Sequence, residues 1–360
     1  MDILEQVIQG REFSAGELAK LYEYDIFTLG EAANALREKK YGKKVFFNMN
    51  RHINPTNICA DVCKFCAFSA SRKNPNPYEM TIDEIIAQAI ASYKRGAKEV
   101  HIVSAHSPNY SYEWYMTCFA EVKKALPDIH IKAMTAAEVD YLDRKFGMGY
   151  QKVLEDMARA GVDSMPGGGA EIFDEKIRKH LCAGKVSSTR WLEIHMHWHS
   201  MGKMSNATML FGHKESREHR LDHMLRLVHA QCDSQIVESK NGGFNAFIPL
   251  LYQRDNNYLD VPNPPSGQEI IKTIAIARIV LSNIPHIKAY WATLGANTAL
   301  LAQEFGADDM DGTIEHESIQ SAAGAKSKKG MSEAMMIAQI KDAGFIPVER
   351  DSLYNELRVC

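Results

Sequence analysis

The sequence predicts an α/β fold: a (βα)8 TIM-type barrel behind an N-terminal helical extension. Three observations predict it. From Val45 onward, short strand-like runs alternate with longer runs of helical periodicity, the pattern of a parallel sheet flanked by helices. Counting those runs gives about eight strands, enough to close a barrel. The length of 360 residues suits one such barrel with a modest addition. The expected division is an extension over residues 1–45 and a barrel domain with a closing helix over residues 46–360.

In the extension, Leu4, Val7 and Ile8 form one apolar stripe, and Leu18, Leu21 and Tyr22 a second. Leu29, Ala32 and Leu36 form a third, with Ser14 and Thr28 as N-caps. Phe46 to Ile53 reads as the first strand. Thr81-Ile-Asp-Glu84 is a capping box that opens a helix ended by Gly96. Further strands are expected at Glu99–Val103, His130–Met134, Val162–Met165, Asn206–Phe211, Phe244–Leu251, His286–Leu294 and Asp309–Ile314. Helices are expected at Tyr112–Leu126, Tyr150–Ala160, Ile172–Leu181, Thr189–Met201, Glu215–Ala230, Gln268–Leu281, Asn297–Phe305 and Ser332–Ala343.

Composition narrows the function. The chain is 45% apolar and 24% charged with a formal net charge of −3, an ordinary globular balance. No broad basic surface is implied, so no nucleic-acid partner is expected. The first residues lack the basic and apolar regions of a signal peptide. No apolar run approaches the roughly 20 residues a membrane span needs. Seven cysteines make no disulfide framework, and Cys118, Cys182, Cys232 and Cys360, scattered singly, read as free or buried thiols. Free thiols suit a reducing cytoplasm.

The other three cysteines, Cys59, Cys63 and Cys66, are spaced Cys-x3-Cys-x2-Cys on the loop after the first strand. Three thiolates this close can hold three corners of an iron–sulfur cluster and leave one iron open. A structural zinc site wants a fourth ligand, for which His52 is the nearest candidate. An electron-carrying ferredoxin usually supplies four cysteines per cluster, and inert buried thiols are a third alternative.

Barrel enzymes work at the C-terminal ends of their strands. The residues to inspect there are Ser104-Ala-His106, Thr135–Glu138, Pro166–Glu171, Gly212-His213, Tyr252-Gln253, Tyr290-Trp291, and Asp309, Asp311 and Thr313. Gly167-Gly168-Gly169 lets backbone approach a ligand closely, and Glu171 follows it with a carboxylate suited to ribose hydroxyls or an ammonium. His195 and His199 have a metal-like i, i+4 spacing, but His-Glu-x-x-His is absent, so a polar helix with ordinary histidines is expected. The basic run Lys326-Ser-Lys-Lys329 reads as a solvated loop.

Cys59, Cys63, Phe65 and Cys66 resemble, position by position, the signature of the radical S-adenosylmethionine (SAM) enzymes. The resemblance implies a [4Fe-4S] cluster whose open iron binds SAM and whose electron splits the sulfonium to a 5′-deoxyadenosyl radical. Further segments narrow it: Arg51-His-Ile-Asn54, Pro166-Gly-Gly-Gly-Ala-Glu-Ile-Phe173, Asn206–His213, Gly242–Pro249, Ile284–Trp291, Gly306–Thr313 and Pro347–Asp351 together resemble the aminofutalosine synthase family. That family serves the futalosine route to menaquinone. Its implied reaction adds the adenosyl radical to the enol-ether double bond of 3-[(1-carboxyvinyl)oxy]benzoate. Rearrangement and decarboxylation then give 6-amino-6-deoxyfutalosine.

The resemblance implies that Phe65 lies beside the SAM adenine, with Glu171, Glu138, Gly168 and the Ser104 segment as further SAM contacts. Ser104-Ala105 stands where a Gly-Gly pair is expected. For a dianionic aromatic substrate, the candidate carboxylate partners are Arg51, His52, His213, Arg278 and Lys288, with Asn206 and Thr208 as neutral donors. Tyr290, Trp291 and Phe247 are candidates to pack its ring. An electron donor such as flavodoxin or ferredoxin is implied as partner. The nearest rivals are the sister enzyme that cyclises dehypoxanthinyl futalosine and the deazaflavin-forming relatives. A non-enzymatic iron–sulfur or metal-binding protein is the rival of a different class.

Overall fold

A computed structural model describes residues 2–236, 242–316, 318–325 and 330–360. The basic run at 326–329 lies outside the described residues. Seven strands form one parallel sheet: β2 (Asn50–Ile53), β3 (Glu99–Ile102), β4 (His130–Ala133), β5 (Ser164–Met165), β6 (Met204–Phe211), β7 (Gly243–Leu251) and β8 (His286–Ile287), neighbours in that order. Separately, β1 (Lys44–Asn48) pairs with β9 (Asp309–Gly312) and β10 (Ile346–Arg350), and β11 (Glu356–Val359) adds an antiparallel edge to β10. Strand β9 also meets both edges of the larger sheet. Lys288 pairs with Asp309, and Glu315, just past β9, pairs with Arg51. The backbone bonds are Ala289 N–H to Asp309 O at 2.8 Å and Glu315 N–H to Asn50 O at 3.1 Å. The parallel sheet thus curls round until both edges touch one strand, the TIM-type α/β arrangement.

Local chemistry accounts for the elements. The Thr81–Glu84 capping box forms as expected, and Ser14 caps its helix with Glu17. Thr28 is not a cap. Asp25 takes that place, accepting from the N–H groups of Phe27 and Thr28, because Asp25 precedes the apolar run by one turn. The expected first strand breaks at Met49 into β1 and β2. The expected strand over 286–294 is strand only at His286–Ile287; residues Trp291–Leu294 turn into a short helix. Helix Ala136–Phe146 follows β4 directly, opened by a Thr135–Glu138 capping box.

The helices Ile3–Ile8, Ala15–Leu18 and Ile26–Tyr41 precede the strands. Their Leu4, Leu18 and Leu29, with Leu21 of the 3-10 turn Ala19–Glu23, are buried in the same apolar core as the strand and outer-helix residues. No helix among the described residues is long and apolar enough to cross a membrane.

Inside the barrel the composition is unusual. The register aligns His52, His101, Lys132 and Ser164 across β2 to β5. Barrel interiors ordinarily hold branched apolar side chains at such positions. Between β6 and β7 the register shifts at Ser205/Asn206. A shift of this kind re-aims side chains, and here Asn206 donates to the Asn245 side chain.

Candidate active site

One cavity of about 280 Å³ opens at the C-terminal ends of the strands, and the cysteine loop forms part of its wall. The loop is held by backbone bonds from Ala60 N–H to His106 O at 2.9 Å and from Lys64 N–H to Leu181 O at 2.8 Å. Cys59, Cys63 and Cys66 are free, half-buried and line the cavity. Burial pushes the Cys59 thiol up, and a hydrogen bond to Cys182 together with burial pushes Cys63 up. Cys182, read from sequence as an isolated thiol, is therefore a neighbour of the loop. Three free thiols with no disulfide, turned to one cavity, form a donor set that fits an open four-iron cluster. Phe65 lines the same wall, with the Lys185 ammonium 5.7 Å from its ring centre.

The three glycines have a packing reason of their own. A Cβ on Gly167 would come within 2.7 Å of the backbone of Asn206, Ala207 and Thr208 on β6. One on Gly168 would meet Thr135 at 2.8 Å, and Gly169 has a φ of +89°. The turn therefore nests against β6 and helix 136–146 while its Gly167, Gly168 and Gly169 line the cavity. Trp191, fully buried, donates its indole N–H to Gly168 O at 3.1 Å. Glu171 follows at a φ of 47°, a left-handed conformation uncommon for a residue with a side chain. Its carboxylate accepts from Lys185 Nζ at 2.8 Å.

Buried Arg178 holds this turn. Its guanidinium donates to the carbonyls of Ile172 and Gly169, each at 3.1 Å, and to those of Ala170 and Val186. Val186 adjoins Lys185, so one side chain joins the two segments that carry Glu171 and Lys185. On the cysteine-loop side, His106 Nδ1 lies 2.7 Å from Asp61 Oδ2, and its ring stacks on Tyr141 with centroids 4.9 Å apart.

Of the residues singled out from sequence, His52, Phe65, Ser104, Gly168, Glu171, Asn206, Thr208, Lys288 and Tyr290 line the cavity with the three cysteines. Glu138 does not. Its buried carboxylate accepts from Ser104 N–H at 2.8 Å, Thr135 N–H at 2.7 Å and Thr135 Oγ1 at 2.8 Å, so it ties two strand-end loops together. Arg51 turns outward to Gln88 at 2.5 Å. His213 bonds Leu210 O at 2.9 Å and stays off the cavity. Arg278 lies at the opposite end of the barrel, where it grips Pro285 O and Gly306 O just before β8 and β9 begin. Trp291 donates to Gly312 O at 2.8 Å, and Trp291 and Phe247 pack in the core instead of lining the cavity.

Sequence reasoning missed Lys185, Lys132 with Glu99, His101, and Asp61 as the partner of His106. Lys132 had a signal: a lysine inside a short strand of a sheet buried on both faces needs a partner.

The helix Ser188–Ser200 is not the expected polar helix, since it turns Trp191, His195, Trp198 and His199 into the core. His195 and His199 both meet Ser205 Oγ, at 2.9 and 2.7 Å, and His199 also meets Ser234 Oγ at 2.8 Å. Burial drives His199 and His223 down to about 3. In the unfolded chain each would titrate near 6.5, so the unfolded state binds more protons between the two values. Their contribution to stability is full above pH 6.5 and shrinks as pH falls toward 3. Urea unfolding should show a loss of about 2 kcal/mol per histidine between pH 6.5 and 5. The variant His223→Gln should flatten that slope by one histidine's share, and an unchanged slope would contradict the buried neutral state.

Residues 53–227 match the family model described as the radical SAM superfamily, and residues 241–360 match the CofH/MqnC C-terminal region. The chain is 39% identical to an aminodeoxyfutalosine synthase of Thermus thermophilus, over 99% of this chain and 95% of that one. It is 34% identical to a cyclic dehypoxanthine futalosine synthase of Streptomyces coelicolor, over 99% of this chain and 88% of that one. In fold it is similar to the crystal structure of methylornithine synthase, with a TM-score of 0.75 at 17% identity, covering 96% of this chain and 97% of that one.

Proposed function

The chain belongs to the radical SAM superfamily and, within it, to the family of the aminodeoxyfutalosine synthases; on that premise we propose that it joins the adenosyl carbon of SAM to 3-[(1-carboxyvinyl)oxy]benzoate, with rearrangement and loss of one carboxylate, to form 6-amino-6-deoxyfutalosine. The observation that carries this reading is that three free thiols, the glycine turn with Glu171, and two buried lysine–carboxylate pairs open into one cavity. Cys59, Cys63 and Cys66 would hold the cluster, which when bound supplies the chelating iron and the electron that open the SAM sulfonium. SAM occupies the wall made by Phe65, Ser104, Gly168 and Glu171. Lys185 keeps the Glu171 carboxylate oriented toward it. Ile248, Leu250 and Tyr290 give the aromatic substrate an apolar wall that excludes water from the reacting carbons. A small one-electron carrier such as flavodoxin or ferredoxin delivers the electron at the exposed face of the cysteine loop, where Val62 is 80% exposed.

The sister reaction is the second reading, favoured by full-length similarity to the cyclic dehypoxanthine futalosine synthase. Anaerobic turnover of the reconstituted, reduced protein with SAM and 3-[(1-carboxyvinyl)oxy]benzoate, read by mass spectrometry, separates the two. The synthase reading expects a substrate-dependent adenosyl adduct that has lost one carboxylate. Free 5′-deoxyadenosine without adduct would overturn it.

A further inference from the structure

A charged floor underlies the cavity. In the ring β2 to β9, strands β4 and β8 are four places apart and so stand on opposite sides. Each turns a lysine inward. Lys132 Nζ donates to Glu99 Oε2 at 2.7 Å, and Lys288 Nζ donates to Asp311 Oδ1 at 2.7 Å. The two lysines are 4% and 2% exposed, and both line the cavity. An ammonium carries three N–H donors, and each carboxylate takes one. The donors left over on each side belong to paired cations already removed from bulk water, where an unsatisfied N–H is costly. Asp311 sits at a φ of 73°, so the backbone holds it in a sparsely populated conformation at this point. Burial and the charge of Lys288 both depress the Lys132 ammonium, while Glu99 opposes them, so the two lysines lie within electrostatic reach of each other.

Two facing ammonium groups with spare donors suit a planar anion with two oxygens. We propose that Lys132 and Lys288 together hold the ring carboxylate of the aromatic substrate, and thereby set which end of that substrate faces SAM. This rests on the reaction proposed above. The double bond that accepts the adenosyl carbon must lie near the cysteine loop at the cavity's upper wall. The ring carboxylate is the acid group remote from that double bond, so it points to the floor. Ile248 and Leu250 then flank the ring between the two ends.

The test compares the full substrate with 2-phenoxyacrylate, which lacks the ring carboxylate. Both are offered to the wild-type protein, to Lys132→Met/Glu99→Gln and to Lys288→Met/Asp311→Asn. Each paired change removes both charges of an ion pair, so no buried charge is orphaned, and melting temperature reports folding. The wild-type protein should lose at least about 100-fold in kcat/KM when the ring carboxylate is removed, as expected for charge-assisted hydrogen bonds. Each variant should lose a similar factor on the full substrate and little more on the analogue, with the KM for SAM unchanged. Equal losses on both compounds, or a raised KM for SAM, would overturn the assignment while leaving the reaction standing. No adduct from the wild-type protein would overturn both.

Discussion

The variant Cys66→Ala should fold, bind no iron–sulfur cluster and cleave no SAM, with turnover reduced at least about 10⁴-fold, or roughly 5 kcal/mol of barrier. Folding should survive because the loop is held by backbone bonds that do not involve the thiol: Ala60 to His106, Lys64 to Leu181, and Ala70 N–H to Asn57 O at 2.7 Å. The cluster should not survive, because three thiolates serve three corners and the loop has no spare. Cys182 supplies the control. It is 3% exposed and meets Cys63, so Cys182→Ser should keep the cluster if Cys182 is only a packing neighbour. Iron and sulfide content, visible absorption and anaerobic SAM cleavage read all three proteins. A Cys66→Ala protein with full iron content and activity would contradict the assignment of the loop.

Arg178→Met should be the most destabilising single change near the site, by about 3–5 kcal/mol, as for removal of one partner from a buried charged network. The guanidinium serves the carbonyls of Gly169, Ala170, Ile172 and Val186, and methionine leaves all four buried without a donor. Those carbonyls belong to the turn that sets Glu171 at positive φ and to the segment that presents Lys185. The SAM dissociation constant should therefore rise at least about tenfold in whatever folded protein remains, roughly 1.4 kcal/mol. Arg178→Lys should recover part of the stability, since an ammonium cannot fork to four acceptors. Urea unfolding together with SAM titration checks both effects. A stable Arg178→Met protein with unchanged SAM affinity would show that the clasp does not set the site.

How much of this was legible in the sequence depends on whether the signal was local. The cysteine spacing is local and was readable, as was the alternation that gives the barrel. Helix 136–146 does have a local signal, since Thr135-x-x-Glu138 announces its start, but the same four residues also fit a strand-end loop. The helix after the glycines begins at Glu175, not Ile172, because Asp174 caps it and Arg178 binds the carbonyls before it. Strand β10 carries Pro347, a residue that argues against a paired strand, yet it pairs with both β1 and β11. Lys288, Asn206 and Thr208 line the cavity because they lie on inward positions on or just past strands, whereas Arg278 and His213 do not, since a charge pattern does not reveal which end of a strand or helix reaches the cavity. Lys185 and the Lys132–Glu99 pair depend on partners brought together only by the closed sheet.

The central claim is that this chain uses the adenosyl carbon of SAM as a building block. The most direct test supplies SAM deuterated at C5′ and follows the label under anaerobic turnover with 3-[(1-carboxyvinyl)oxy]benzoate and, separately, with dehypoxanthinyl futalosine. The account predicts that both deuterons appear in an adenosyl adduct with the first compound and that the second yields none. Label found only in free 5′-deoxyadenosine, with conversion of the second compound, would contradict it.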